Sequence, residues 1–360
     1  MQSYVKSNDK MFDNARRTLV ELCEVKAGEN MVIIADSDCF AYASVMSRVA
    51  RELGVNGIII DIDHWGGTEK YMKMPVMEPL RQAILHADVA IMLTDQMKTD
   101  FGIFLGNRDD CDASLVAGTR RFTFEATGME NWDLDMDRIQ ADRARTLALY
   151  KWLKHAEEIH ITTRRGTDLT CKVGSVPDGM YPVMGILPFY AEVAIVPAFD
   201  SVNGVVIADG ASEFAYAQRG FPIRPAFAGH QELWKEPMRM VFKDSWLVEY
   251  EGDPVQKARL DKLMEDISPK PDICDEVGLV TCTSNENNMY GWRVCGSHQT
   301  HCIHVALGNN RRRKEIIHSD EHVDFDIHEP TITVDGVVIF DGATFNDTVI
   351  MEQAAKYENE

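Results

Sequence analysis

Three short apolar runs constrain the fold most: MVIIAD (31–36), GIIIDID (57–63) and VAIMLTD (89–95). Their apolar residues are consecutive rather than alternating with polar ones. A strand of that kind is buried on both faces, as in a parallel sheet covered by helices. Helical stretches separate the runs. Residues 11–26 place Met11, Phe12, Leu19, Val20 and Leu22 on one side, 40–53 ends at Gly54, and 76–87 precedes the third run. RFTFEA (121–126) reads as a fourth strand. This alternation predicts an open α/β domain with right-handed crossovers. No G-x-G-x-x-G and no Walker loop follows these strands, so nucleotide binding has no support.

A helix expected over 137–158 links this half to one of different texture. IHITTRRGTDLTCKV (159–173) alternates as a hairpin around Arg165-Gly166. EVAIVPA, NGVVIADG, MRMVFKD, SWLVEYEG, EVGLVTC, CIHVALG, HVDFDI and TITVDGVVIFDG follow, with turn glycines between them and one helix over 253–267. The expected fold class is α/β: an N-terminal open α/β domain (1–156), then a β-rich α+β domain (157–360) that carries a metal site. The second domain is expected to form a curved sheet or barrel.

A chain of 360 residues buries a sizeable core without staples. With 57 acidic and 37 basic residues its formal net charge is −20, which excludes a sequence-independent grip on nucleic acid or anionic lipid. No apolar run approaches the roughly 18 residues of a membrane span, and MQSYVKSNDKMFDNARR lacks a signal-peptide apolar region. The expectation is a cytoplasmic protein acting on a small molecule or short peptide. Its eight cysteines form no C-x-x-C pair, so they are expected to be reduced and packed as small apolar residues.

Histidines crowd the C-terminal part: His298, His301, His304, His318, His322 and His328. Clustered imidazoles point to a metal or an acid–base site. His298, His318 and His328 stand in polar stretches and are expected to cap turns or face solvent. In HVDFDI, His322 and Asp324 are two apart on an expected strand, so an imidazole and a carboxylate share one face. His304 lies among apolar residues in CIHVALG, and Glu192 and Glu276 each open an apolar strand. A carboxylate there is costly to desolvate unless paired or coordinated, although either glutamate alone reads better as a solvated strand end. Together these residues form a candidate site of mixed carboxylate and imidazole ligands. Such a set suits Zn, Co, Mn or Fe(II), as one ion or two. H-E-x-x-H and G-x-S-x-G are absent. The H298-x-x-H301-x-x-H304 spacing alternates faces on a strand and is not a unit. Arg311 to Lys314 is a basic run that reads as a solvated loop or as a contact for a substrate carboxylate.

These segments resemble, in order, the thermophilic-type metalloaminopeptidases, aminopeptidase T and aminopeptidase S. R-G-T-D-L-T (165–170) is similar to the segment that opens their C-terminal part. Glu192 with Pro197, Glu276 in EVGLV, His304 in HVALG, and His322 with Asp324 in HVDF resemble their ligand motifs. The resemblance implies a metal-dependent amide hydrolase. Glu192, Glu276, His304, His322 and Asp324 would then be ligands, Glu192 and Glu276 catalytic, and Arg311 and His301 substrate-binding. It also implies a homodimer or higher homo-oligomer. Where that family carries a tyrosine ligand, this chain has Arg311, a cation that cannot ligate. The Fe(II)-dependent 2,5-dihydroxypyridine 5,6-dioxygenases, a branch of the same fold, are also similar. They imply a ring-cleaving alternative that uses Glu276, His322 and Asp324.

Overall fold

The structure is a computed structural model. It describes residues 9–35, 39–61, 78–93, 118–124, 129–173, 180–187, 189–211, 236–266, 268, 270–283, 301–309 and 318–358, with the backbone alone at some positions, His322 among them. The apolar runs form β1 (Asn30–Ala35), β2 (Asn56–Asp61), β3 (Val89–Leu93) and β4 (Arg120–Phe124). They pair in parallel in the order β2-β1-β3-β4, so β2 ends the sheet among the described strands, and the run expected to be buried on both faces is only half-buried there, with Ile58 56% exposed. Helices α1 (Asp9–Arg17), α2 (Phe40–Glu52) and α3 (Glu78–Leu85) connect or flank them. One π turn, Thr18–Leu22, extends α1. Gly54 ends α2 in the left-handed region at φ 79, where a side chain would be strained. α4 (Met136–Leu153) starts at Asp135, whose side chain accepts from the backbone N–H of Arg138.

The expected α/β fold class is borne out, and its two textures join in one sheet. β4 pairs in parallel with β7 (Met180–Leu187), and from there the direction alternates. β8 (Tyr190–Ile195), β13 (Cys274–Val280), β14 (Cys302–Asn309), β15 (His318–His328) and β10 (Gly210–Ala211) follow antiparallel, completing a ten-stranded sheet that runs across residue 156. A seven-stranded antiparallel sheet lies beside it. Its order is β12 (Trp246–Glu251), β11 (Met238–Lys243), β9 (Asn203–Ala208), β6 (Asp168–Lys172), β5 (Glu158–Thr162), β16 (Thr331–Val334) and β17 (Val337–Asp341). The C-terminal part is therefore two open sheets and not a barrel. The chain passes from one sheet to the other at Asp209, between β9 and β10.

Period-two alternation explains the packing. Val193, Ile195, Val277, Leu279, Ile303, Val305, Leu307, Val323, Phe325 and Ile327 come from one face of the ten-stranded sheet. They share a core with Ile159, Ile161, Leu169, Val206, Met240 and Ile332 of the other sheet. Each such side chain contributes about 1.5–3 kcal/mol when fully buried. α5 (Pro254–Asp266) adds Leu260 and Leu263, and α6 (Asp347–Ala355) adds Ile350.

Candidate metal centre

Cross-strand register fixes what the other face of the ten-stranded sheet carries. Gly278 stands between Ala194 of β8 and His304 of β14, and Val280 stands opposite Glu192. Glu276 is opposite Ala306, which is opposite Asp324 on β15. His304 is opposite Asp326, and Cys302 opposite His328. Residues directly opposite in a ladder point to one side. The odd members of β14 and β15 are core, so the even members (His304, Asp324, Asp326 and His328) lie on the face that also bears Glu192 and Glu276. The site is level with the carboxyl end of β4. Thr123 there pairs with Ile186, which pairs with Tyr190 of β8. Open parallel sheets bind ligands at that end. A cavity of about 450 Å³ that includes Asn30, Asn56, Arg51 and His86 lies at the opposite end, away from the carboxylates.

Glu192, Glu276 and His304 each bring one donor atom within 4.8 Å of the others. His304 Nε2 lies 3.5 Å from Glu276 Oε1 and 3.6 Å from Glu192 Oε2. Their relative exposures are 3%, 7% and 6% for His304, Glu276 and Glu192. Two local features hold the cluster. The buried Tyr190 hydroxyl donates to Glu192 Oε2 at 2.6 Å. Gly278 has no side chain where a Cβ would collide with the His304 ring. Burial alone would lower the pKa of His304, but Asp324, Glu192 and Glu276 outweigh it and push the imidazole up to about 9. The site thus draws positive charge.

The donor set fits a divalent cation. Gaps of 3.5–3.6 Å are too long for strong hydrogen bonds. They are close to the ~3.4 Å that separates two ligands held ~2.1 Å from one tetrahedral ion. Buried carboxylates around one imidazole are costly without such a charge. Oxygen and nitrogen donors of this kind suit Zn, Mn, Co or Fe(II).

Of the residues singled out in the sequence, Glu192, Glu276 and His304 meet, and Asp324 acts on His304 electrostatically. His322 holds the backbone position opposite Gly308, two before Asp324. Arg311 and His298 lie outside the described residues. His301 precedes β14 at φ 57, and its ring stacks on Phe340 with centroids 6.0 Å apart. His328, expected in a polar loop, instead closes β15, where its Nδ1 meets Asp209 Oδ1 at 2.6 Å. Tyr190, Gly278 and Asp326 were not singled out. Each lies two residues from a ligand candidate on its own strand, so extending the period of two would have found them.

The family model of NicX, described as 2,5-dihydroxypyridine 5,6-dioxygenase, matches residues 10–210, more than half of the chain. That segment includes Glu192 and ends before Glu276, His304 and Asp324. No curated protein matches. Among solved structures, 2,5-dihydroxypyridine dioxygenase from Pseudomonas putida aligns at TM-score 0.69 and 13% identity, over 95% of this chain and 99% of that one. AmpT from Thermus thermophilus aligns at TM-score 0.61 and 15% identity, over 94% and 99%. At these identities the two structures speak for the fold. The family match goes further: the chain belongs to the NicX family of 2,5-dihydroxypyridine 5,6-dioxygenases.

Proposed function

We propose that this chain is a metal-dependent enzyme that opens a hydroxylated nitrogen heterocycle with O₂. Its ligands are drawn from Glu192, Glu276, His304, His322 and Asp324. Membership of the NicX family carries this assignment. These residues would hold a divalent ion, which would bind and activate O₂ beside an enolic substrate if it is Fe(II), or lower the pKa of a bound water if it is zinc or cobalt. The chain's own residues prepare that position. Tyr190 holds Glu192 Oε2, the oxygen that faces His304 Nε2, Gly278 lets the His304 ring lie over β13, and the apolar layer beneath the strands keeps water from their other face.

Amide hydrolysis is the second candidate chemistry, and one observation favours it. Glu192, Glu276 and Asp324 surround a single imidazole, a carboxylate-rich set that can bridge two ions with a water between them. The test is turnover of hydroxylated pyridines and of short peptides, each with and without O₂, by protein purified without chelators. Ring opening that consumes O₂ and follows iron content supports the first chemistry. O₂-independent amide cleavage with two zinc or cobalt ions per chain replaces it with the second.

A further inference from the structure

On the far side of His304 from the two glutamates lies an unexplained carboxyl group. Asp326 stands directly opposite His304 in the β14–β15 ladder and is 0% exposed. Neither of its oxygens has a hydrogen-bond partner among the described residues, and the same holds for His304 Nδ1. Gly210 is opposite Asp326 on the next strand, and a Cβ there would sit 2.5 Å from Asp326 Oδ2. The sheet thus keeps space for a carboxyl group whose oxygens accept no hydrogen bond among the described residues. A buried carboxylate without donors costs several kcal/mol in order of magnitude, so its presence calls for a compensating contact.

We infer that Asp326 is the positioning partner of His304: it accepts the Nδ1–H once Nε2 is committed to a metal, and so fixes the ring's tautomer and orientation. The inference rests on the metal-binding assignment above. The chemistry is general. A histidine that ligates through one nitrogen donates its other N–H to a carboxylate or carbonyl, and loss of that partner costs 10–100-fold in metal affinity, to order of magnitude. Opposite residues in an antiparallel ladder have Cβ atoms roughly 4.5–5.5 Å apart, within reach of one rotamer change. Asp324 is opposite Ala306 rather than His304, which leaves Asp326 as the directly facing carboxylate.

The test measures zinc affinity by chelator competition, with thermal unfolding of the metal-free proteins alongside. Asp326→Leu should bind zinc about 10–100-fold more weakly than the parent. Metal-free Asp326→Leu should unfold at the same or a higher temperature, because a buried carboxyl group without a partner is gone. A purely structural role would lower that temperature and leave the affinity alone. Asp326→Asn keeps an acceptor oxygen and should recover part of the affinity. Should Asp326→Leu fail to fold, Asp326→Asn and the parent are compared by the ¹⁵N shifts of His304. The zinc-bound parent should show the Nδ1–H form, and the variant a weakened Nδ1–H hydrogen bond. Zinc affinity of Asp326→Leu within twofold of the parent, or unchanged ¹⁵N shifts in Asp326→Asn, would overturn the inference alone. A parent chain that binds no zinc, manganese or iron would overturn the metal assignment with it.

Discussion

His328 Nδ1 and Asp209 Oδ1 lie 2.6 Å apart, and the pair ties the end of β15 to the crossing between β9 and β10, one of the points where the chain changes sheets. Asp209 N–H also donates to the Asp326 carbonyl at 3.0 Å, and Arg165 Nη1 sits 3.0 Å from Asp209 Oδ2. Burial disfavours the charged imidazole. The Asp209 carboxylate opposes burial and holds the His328 imidazole above the usual histidine value.

That shift gives stability a pH dependence of definite sign. The folded pKa lies above the unfolded value of about 6.5. The contribution is therefore complete below about pH 6.5 and declines as pH rises through the raised folded value. His328→Gln should cost about 1.5–3 kcal/mol near pH 6, and progressively less at pH 8 and 10. Urea unfolding of both proteins at the three pH values checks this. A gap that widens with pH would contradict the assignment of charge to this pair.

Metal binding should compete with a proton on His304. Below about pH 9 the metal-free imidazole is protonated, and a ligand must be neutral. Apparent affinity should rise by about tenfold per pH unit from 6 to 8, with about one proton released per ion. Calorimetric titration in buffers of different ionisation enthalpy reads the proton directly. Affinity that is flat with pH would place the metal elsewhere.

Gly278→Ala should remove metal without replacing any ligand residue. Its Cβ enters the volume of the His304 ring, so the imidazole must leave the glutamates. Tyr190→Phe is gentler, since it removes only the donor to Glu192 Oε2, and should weaken binding by about tenfold. Zinc competition on the two variants should rank Gly278→Ala as the worse binder. The reverse order would mean that the phenol matters more than the clearance over β13.

Arg145 carries a prediction about stability alone. Its guanidinium meets Asp347 through two nitrogens, Asp142 Oδ1 at 2.6 Å and the Thr281 carbonyl at 2.8 Å, joining α4 to α6 and to the end of β13. Arg145→Met leaves the buried Asp142 without this partner and should cost about 3–5 kcal/mol. Asp142→Asn added to it should restore part of the loss. Denaturant midpoints of the single and double variants test this, and additive losses would show that the two side chains are uncoupled.

The parallel strands β1 and β3 were legible because MVIIA and VAIML are apolar throughout, and only burial on both faces tolerates that. The glutamates and His304 were legible because a charge inside an apolar strand needs a reason. The two-sheet arrangement was not, because consecutive strands switch sheets repeatedly, as from β6 to β7, β8 to β9, β9 to β10, β12 to β13 and β15 to β16, and alternation along one strand does not say which sheet it joins. His328 was read as a loop residue because HVDFDI was taken to end at Ile327. Two more steps of two along β15 add Asp326 and His328 to the face of Asp324. Gly278 was overlooked because its role is the space it leaves, which only the opposing His304 reveals.

The central claim is that Glu192, Glu276 and His304 hold a divalent metal. Elemental analysis of the parent, Glu276→Gln and His304→Ala, purified alike without chelators, tests it most directly. The account predicts at least one transition-metal ion per parent chain and less than a tenth of that in either variant, with both variants still folded by circular dichroism. Folded variants that retain the parent's metal content would contradict it.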